Sequence, residues 1–319
     1  MEELKYKIQN SLEYDSAILE NIDECDIYFI IFKANSIREK FKGKKIELCA
    51  IVNAKSGLCS EDCIFCAQSS RYKTNAPVYP LIEKDKILQK VIEAKRHKVK
   101  RFSLVTSGKR PSKREIEKIG NYIEEIRKTG IHTCASLGLL EYDEICYLRD
   151  KGLERLHCNI ETSESFFNRI CTTHRFSDKV NTLENAIKAG LSVCSGGVFG
   201  IGETWNHRIE MAVFLSKLDV DSVPINFLTP IAGTPLEKKE PLSPMEALKI
   251  VALFRLILPE KDIRICGGSS LLGEFSSWIF IAGANALMTG NYLTTQGRNY
   301  IDDLKFIYNH GLEVDSVVS

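Results

Sequence analysis

Near-continuous apolar, β-branched runs recur along the chain at residues 46–52, 99–106, 131–138, 153–161, 191–199, 222–228, 262–266 and 286–288. Their length suits strands, and the lack of strict alternation suits strands covered on both faces. Charged segments with apolar positions at helical spacing lie between them, at 84–96, 113–128, 142–151, 178–189, 206–217, 244–258 and 276–282, with a last one at 300–309. Gly130, Gly152 and Gly190 stand where helices should stop before the next strand. Eight strands, each followed by a helix, predict an α/β protein with a complete (β/α)8 barrel of the TIM type. Residues 1–42, with Ile18, Leu19 and Ile22 at helical spacing, predict a helical extension that caps the barrel's bottom or mediates dimer contacts, and residues 43–319 the barrel. A doubly wound sheet would need a phosphate loop after the first strand, but that position holds cysteines. No repeat or shift in composition marks a second domain.

Composition narrows the function. With 319 residues and 44% of them hydrophobic, the chain can build a large core. Lys+Arg 43 against Asp+Glu 42 leaves a net charge of +1. No basic stripe interleaved with aromatics is present, so nucleic acid is not an implied partner. The start is charged, and the apolar run at residues 27–32 is far too short for a signal core or a membrane span. A cytoplasmic location is therefore expected. Eleven cysteines, an odd number, argue against a disulfide framework and for metal chemistry in a reducing compartment.

The chemistry concentrates at Cys59-Ser60-Glu61-Asp62-Cys63-Ile64-Phe65-Cys66, directly after the first strand. Thiolates are soft ligands for zinc, Cu(I) or iron–sulfur clusters, and an iron–sulfur cube normally takes four of them. Only three are local, and a catalytic metal site keeps a position open for a small molecule. The competing readings are a zinc knob completed by a distant histidine, or three small core residues. Zinc loops usually repeat C-x2-C, and neither a second pair nor a nearby His-x3-His is present.

The spacing C-x3-C-x2-C, with Phe65 before the last cysteine, resembles the signature of the radical S-adenosylmethionine (SAM) enzymes. Ala67-Gln68-Ser69-Ser70-Arg71-Tyr72 resembles the biotin synthase version of that loop, and similar motifs extend from about Asn53 to Thr295. The resemblance implies a 4Fe-4S cluster on Cys59, Cys63 and Cys66 whose open iron binds the amino and carboxylate groups of SAM. Reductive cleavage of SAM then yields a 5'-deoxyadenosyl radical. The strand-end segment 157–162 places His157, Asn159 and Glu161 on one face, where Asn159 and Glu161 can bond SAM's ribose or a substrate ring, or form a polar layer of the barrel core. Cys158 points the other way, into packing. The glycine run at 196–202, including Gly200 and Ile201, resembles the family's adenosine-lining segment, and Asn226 stands where the family bonds the ureido ring of dethiobiotin. By the same resemblance Thr106 and Ser107 lie near SAM's amino group. Cys171-Thr172-Thr173-His174-Arg175 and Tyr292-Leu293-Thr294-Thr295 lie near the substrate or SAM's carboxylate, with His174 and Arg175 both candidates for the cation.

One departure stands out. Biotin synthases ordinarily hold a second, sacrificial 2Fe-2S cluster on three cysteines and an arginine. The first of those cysteines is Ser103 here, the other two match Cys134 and Cys194, and the arginine matches Arg264. Serine is a hard donor, and a guanidinium is a poor ligand. Cys266 follows Arg264 by two residues on the same strand face and can replace the lost thiolate. This pattern resembles a variant group from anaerobes with a larger 4Fe-5S auxiliary cluster. The resemblance implies radical insertion of sulfur into dethiobiotin, an electron donor of the flavodoxin or ferredoxin type, and a homodimer. A radical SAM barrel acting on an amino acid, of the hydrogenase-maturation or methylornithine type, is the second reading, which Asn226 and residues 68–72 oppose. A non-catalytic iron–sulfur carrier is the third, and it has no need of a closed barrel with adenosine-binding glycines.

Overall fold

The computed structural model describes residues 22–290, 293 and 297–316. Strands β1 (Lys45–Lys55), β2 (Arg101–Thr106), β3 (His132–Ser136), β4 (Arg155–His157) and β5 (Ser192–Cys194) pair in parallel, each with the next. Strands β6 (Gly197–Phe199), β7 (Ser222–Phe227), β8 (Asp262–Ile265) and β9 (Ala286–Met288) continue the sheet, and β9 returns to pair with β1. The predicted (β/α)8 barrel is therefore closed. Its helices are α2 (Lys84–Arg96), α3 (Lys113–Lys128), α4 (Tyr142–Asp150), α6 (Phe176–Lys188), α7 (Trp205–Lys217), α8 (Pro244–Ile257) and α9 (Tyr300–Asn309), with a short α5 (Glu164–Phe167) after β4. Local chemistry sets their ends. Ser112 and Glu115 form a capping box at α3, and Ser243 caps α8 with Pro244 at its first position. Gly130, Gly152 and Gly190 all have positive φ and stop the helices before them.

Three expectations need correction. The run 191–199 is not one strand: β5 and β6 are halves of a single stave, broken at Ser195 and Gly196. There the backbone comes so close to the carbonyls of Pro224 and Glu161 that a Cβ on Gly196 or Gly197 would overlap them. The run 153–161 ends as a strand at His157, and Glu161 is turned by a left-handed φ of 70°. The expected helix at 276–282 is instead a 3₁₀ segment, Ser269–Ile279, kinked where Gly273 takes a positive φ. The extension is helical over α1 (Ile27–Lys42), which packs on α8, and residues 1–21 lie outside the described residues. Strand β10 (Glu313–Asp315), absent from the sequence reading, pairs with the start of β1. Among the described residues no helix is long and apolar enough to cross a membrane.

The lower lumen holds an ion cluster. Glu47 of β1 lies 2.5 Å from Arg264 of β8, 3.2 Å from Arg101 of β2 and 3.7 Å from Arg155 of β4. Burial alone would raise its carboxyl, but Arg264, Arg101 and Arg155 hold it far below the usual carboxylate range. A carboxylate depressed by folding stabilises the fold fully above its unfolded pKa, and that contribution is lost only as pH falls through the lower folded value. Glu47→Gln is therefore expected to cost about 3–5 kcal/mol at neutral pH, read as a lower urea midpoint, because the guanidiniums stay buried without their counter-charge. The deficit relative to the parent should persist through mild acid and shrink only in strong acid.

Candidate functional site

Cys59, Cys63 and Cys66 leave the top of β1 on a loop that its own sequence ties shut. Arg71 Nε, Ser69 Oγ and Tyr72 Oη donate to the carbonyls of Ser60, Glu61 and Asp62 at 2.9, 2.5 and 2.5 Å. Gln68 Oε1 accepts from Ser56 Oγ and from the Gly57 amide, and Cys59 and Ser69 form a bridge. Residues 68–72 thus fix the backbone that carries the thiols. All three cysteines are part-exposed, and Phe65 and Cys66 line the cavity below. Three soft donors on one part-open loop fit a cluster with one iron left uncovered.

Two acidic residues whose partners sequence reasoning missed clamp this loop to the segment after α5. Asp62 accepts from the amides of Thr172 and Thr173, at 2.9 and 3.2 Å, and from Cys171 Sγ. Glu61 accepts from Thr173 Oγ1 at 2.8 Å and meets His174 Nδ1 at 2.6 Å. Burial opposes ionisation of Asp62, but the hydrogen bonds from Thr172, Cys171 and Thr173 hold its carboxyl well below the usual range. The ligand atoms of Cys63, Cys171 and His174 lie within 4.8 Å of one another, spacing that suits a single ion. A zinc knob there would use one signature cysteine and leave Cys59 and Cys66 spare. Arg175 is exposed and begins α6, its amide bonded to Asp178 rather than turned to the cavity.

A cavity of about 340 Å³ opens in the barrel's mouth. Asn159, Glu161 and Asn226 all line it. Asn226 donates to the Gly197 carbonyl at 3.1 Å and accepts from the Gly267 amide at 3.0 Å, so its orientation is fixed while one N–H and one lone pair remain for a guest. Asn159 accepts from the Gly196 amide at 3.3 Å. Burial pushes the Glu161 carboxyl up, against the pull of Lys179 at 3.7 Å. Ser107 Oγ donates to the Gly57 carbonyl at 2.7 Å, and Thr106 Oγ1 is buried with no hydrogen-bond partner among the described residues. The amides of Gly200 and Ile201 both donate to Glu203, which Arg208 also holds at 2.9 Å, so that turn is braced from within. Tyr292, Thr294 and Thr295 lie outside the described residues; the Leu293 carbonyl accepts from Asn53 at 3.1 Å.

The cavity floor carries the second set. Ser103, Arg264 and Cys266 line it, and Cys134 and Cys194 are fully buried on β3 and β5. Cys49 of β1, which sequence reasoning did not single out, lines it too. Its signal was the period-two alternation Glu47, Cys49, Ile51. Burial pushes the Cys134 thiol up to about 12 and raises Cys49, Cys194 and Cys266 as well. His157 stays neutral, through burial first and the neighbouring arginines second. Ser103 Oγ, His157 Nε2, and Arg264 Nε and Nη1 are buried without hydrogen-bond partners among the described residues. Orphaned donors beside three guanidiniums and one carboxylate fit an anionic, acceptor-rich guest, and thiolate-bound iron–sulfide is one.

Residues 55–215 match the Radical SAM superfamily and residues 224–313 the Biotin and Thiamin Synthesis associated domain. The chain is 76% identical over 316 residues to biotin synthase from Thermodesulfovibrio yellowstonii, covering 99% of this chain and 100% of the relative. It is 46% identical over 317 residues to biotin synthase from Pelotomaculum thermopropionicum, covering 98% and 99%. Among solved structures, methylornithine synthase superposes with a TM-score of 0.79 at 22% identity, covering 90% of this chain and 89% of that one. The FeFe-hydrogenase maturase HydG from Carboxydothermus hydrogenoformans superposes with a TM-score of 0.77 at 15% identity, covering 100% and 85%. Those two likenesses speak for the fold alone. The full-length identity speaks for more: the chain belongs to the biotin synthase family of the radical SAM superfamily.

Proposed function

We propose that this chain inserts sulfur into dethiobiotin to form biotin, using SAM as radical source and an auxiliary iron–sulfur cluster as sulfur donor. The full-length 76% identity to a biotin synthase carries this reading. In it, Cys59, Cys63 and Cys66 hold a 4Fe-4S cluster, and Cys134, Cys194 and Cys266 hold the auxiliary one. When bound, the groups supply a 5'-deoxyadenosyl radical to remove hydrogen and sulfide to take its place. We further assign the chain to the cytoplasm as a homodimer with a flavodoxin- or ferredoxin-type reductant, on the family resemblance.

The chain's own part is positioning and exclusion. Asn226, braced by two backbone bonds, offers its remaining N–H and lone pair to the ureido ring, and Asn159 adds a second amide. Glu161 faces the ribose, Phe65, Thr106 and Ser107 flank SAM, and the closely approaching backbone at Gly196 and Gly197 leaves a flat wall toward Gly200 and Ile201. His174 is held by Glu61, which makes it the better placed of the two cation candidates over the exposed Arg175. Ile51, Val105, Val198 and Met288 wall the cavity with apolar surface, which keeps water from a carbon radical. Glu61 and Asp62 keep the thiol loop seated over that cavity.

Two measurements test this. Dethiobiotin is expected to stimulate SAM cleavage and to be converted to biotin, and Asn226→Leu to weaken its binding by about 1–3 kcal/mol through unpaired ureido groups. Stimulation by an amino acid instead, with none by dethiobiotin, would favour the second enzyme reading. Separately, Asp62→Asn removes a charged acceptor whose hydrogen bonds are worth about 1.5–3 kcal/mol each. Iron should then leave the three-cysteine loop faster under chelator challenge, while the urea midpoint of the barrel moves little.

A further inference from the structure

The buried cysteines fall into two kinds. Cys158 and Cys171 belong to the continuous apolar core, Cys158 as a small hydrophobe and Cys171 with its Sγ turned to Asp62 at the rim. Cys49, Cys134, Cys194 and Cys266 are equally buried, yet none of them belongs to that core. They stand on or just beyond four different staves, β1, β3, β5 and β8, around the lumen that holds the Glu47 ion cluster. Cys49 sits two residues above Glu47 and two below Ile51, on the face that pairs with Arg264 and lines the cavity.

We propose that Cys49 is the fourth thiolate of the lumenal cluster, completing a set with Cys134, Cys194 and Cys266, and that Ser103 and Arg264 donate hydrogen bonds to that cluster instead of ligating iron. The assignment rests on the auxiliary-cluster reading above. Iron–sulfur clusters are held by four thiolates as a rule, and a fourth soft donor on the same wall removes the need for a hard serine oxygen. Arg264 is committed to Glu47 through Nη2, stays charged, and keeps Nε and Nη1 for acceptors such as cluster sulfide. Each thiol gives its proton to water as its sulfur binds iron, so the anionic set answers the guanidiniums that Glu47 leaves unmatched. Four ligands also separate the two sites in function. The upper cluster, on three cysteines, keeps an open iron for SAM, whereas every ligand position offered by the lumenal set is a protein thiolate, so SAM has no second place to bind.

The test uses the full chain carrying Cys59→Ala, Cys63→Ala and Cys66→Ala, reconstituted anaerobically with iron and sulfide, so that the iron retained is lumenal. Adding Cys49→Ala is expected to remove that iron, its acid-labile sulfide and its Mössbauer signal, as adding Cys134→Ala does. Ser103→Ala and, as a matched loss of a core thiol, Cys158→Ala are expected to retain all three. Cys49→Ser keeps the side-chain size and guards against a folding defect: one iron site should change its isomer shift as oxygen replaces sulfur. Full iron with an unchanged spectrum in the Cys49 variants overturns the assignment, as does loss of the cluster in Ser103→Ala with retention in Cys49→Ala. A parent that binds no lumenal iron overturns the auxiliary-cluster reading itself, and the Cys49 assignment with it.

Discussion

The structure depends on an unbalanced charge in a dry place. Arg101, Arg155 and Arg264 reach into the lumen from three strands, and Glu47 is the carboxylate that meets them. Buried cations without counter-charges cost several kcal/mol each, so the floor of this barrel is built for company. Ordinary barrels fill the same volume with layers of branched aliphatic side chains. Here thiols, and donors that have no partner among the described residues, take that volume, and the four lumenal cysteines stand outside the continuous apolar core.

Above the floor, the order of the cavity follows the order of hardness and wetness. Soft, buried thiols lie lowest, paired amides at mid-height, and the part-exposed cysteine loop at the rim. The rim is held by directed bonds rather than by burial. Residues 60–62 are gripped on their carbonyls by residues 69–72, and on their side chains by residues 172–174. A loop held at both backbone and side chains needs little adjustment when its thiols are drawn to a common centre.

How much of this was legible depended on whether the signal was local. The strand–helix alternation is local and was read from the sequence, apart from the broken stave, the shortened β4 and the 3₁₀ segment, and the cysteine spacing is a local signal too. Facing is not local where both strand faces are apolar. Cys49 sits inside such a run, so nothing in its neighbourhood separated lumen from core until Glu47 fixed the inward face. Glu61 and Asp62 looked like spacers between cysteines because their partners lie more than a hundred residues away. His174 and Arg175 were equal candidates for the cation by resemblance, and only their tertiary setting separates them: His174 is buried against Glu61, and Arg175 is exposed at the start of α6. The stave broken at Gly196 was read as continuous because the cause of the break, the approach of the Pro224 and Glu161 carbonyls, is a tertiary one.

Strand β1 is the stave at which the barrel closes, pairing with β2, β9 and β10. Glu47 finds Arg264 across 217 residues of sequence, and its own amide bonds the Asn285 carbonyl. Contacts this distant in the chain form late, because the entropy of closing so long a loop must be met before the pairing returns anything. A nascent chain therefore exposes these guanidiniums to water, where they cost little, and only ring closure turns them into a buried positive well. The demand for an anionic guest is thus a property of the closed ring and not of any single stave.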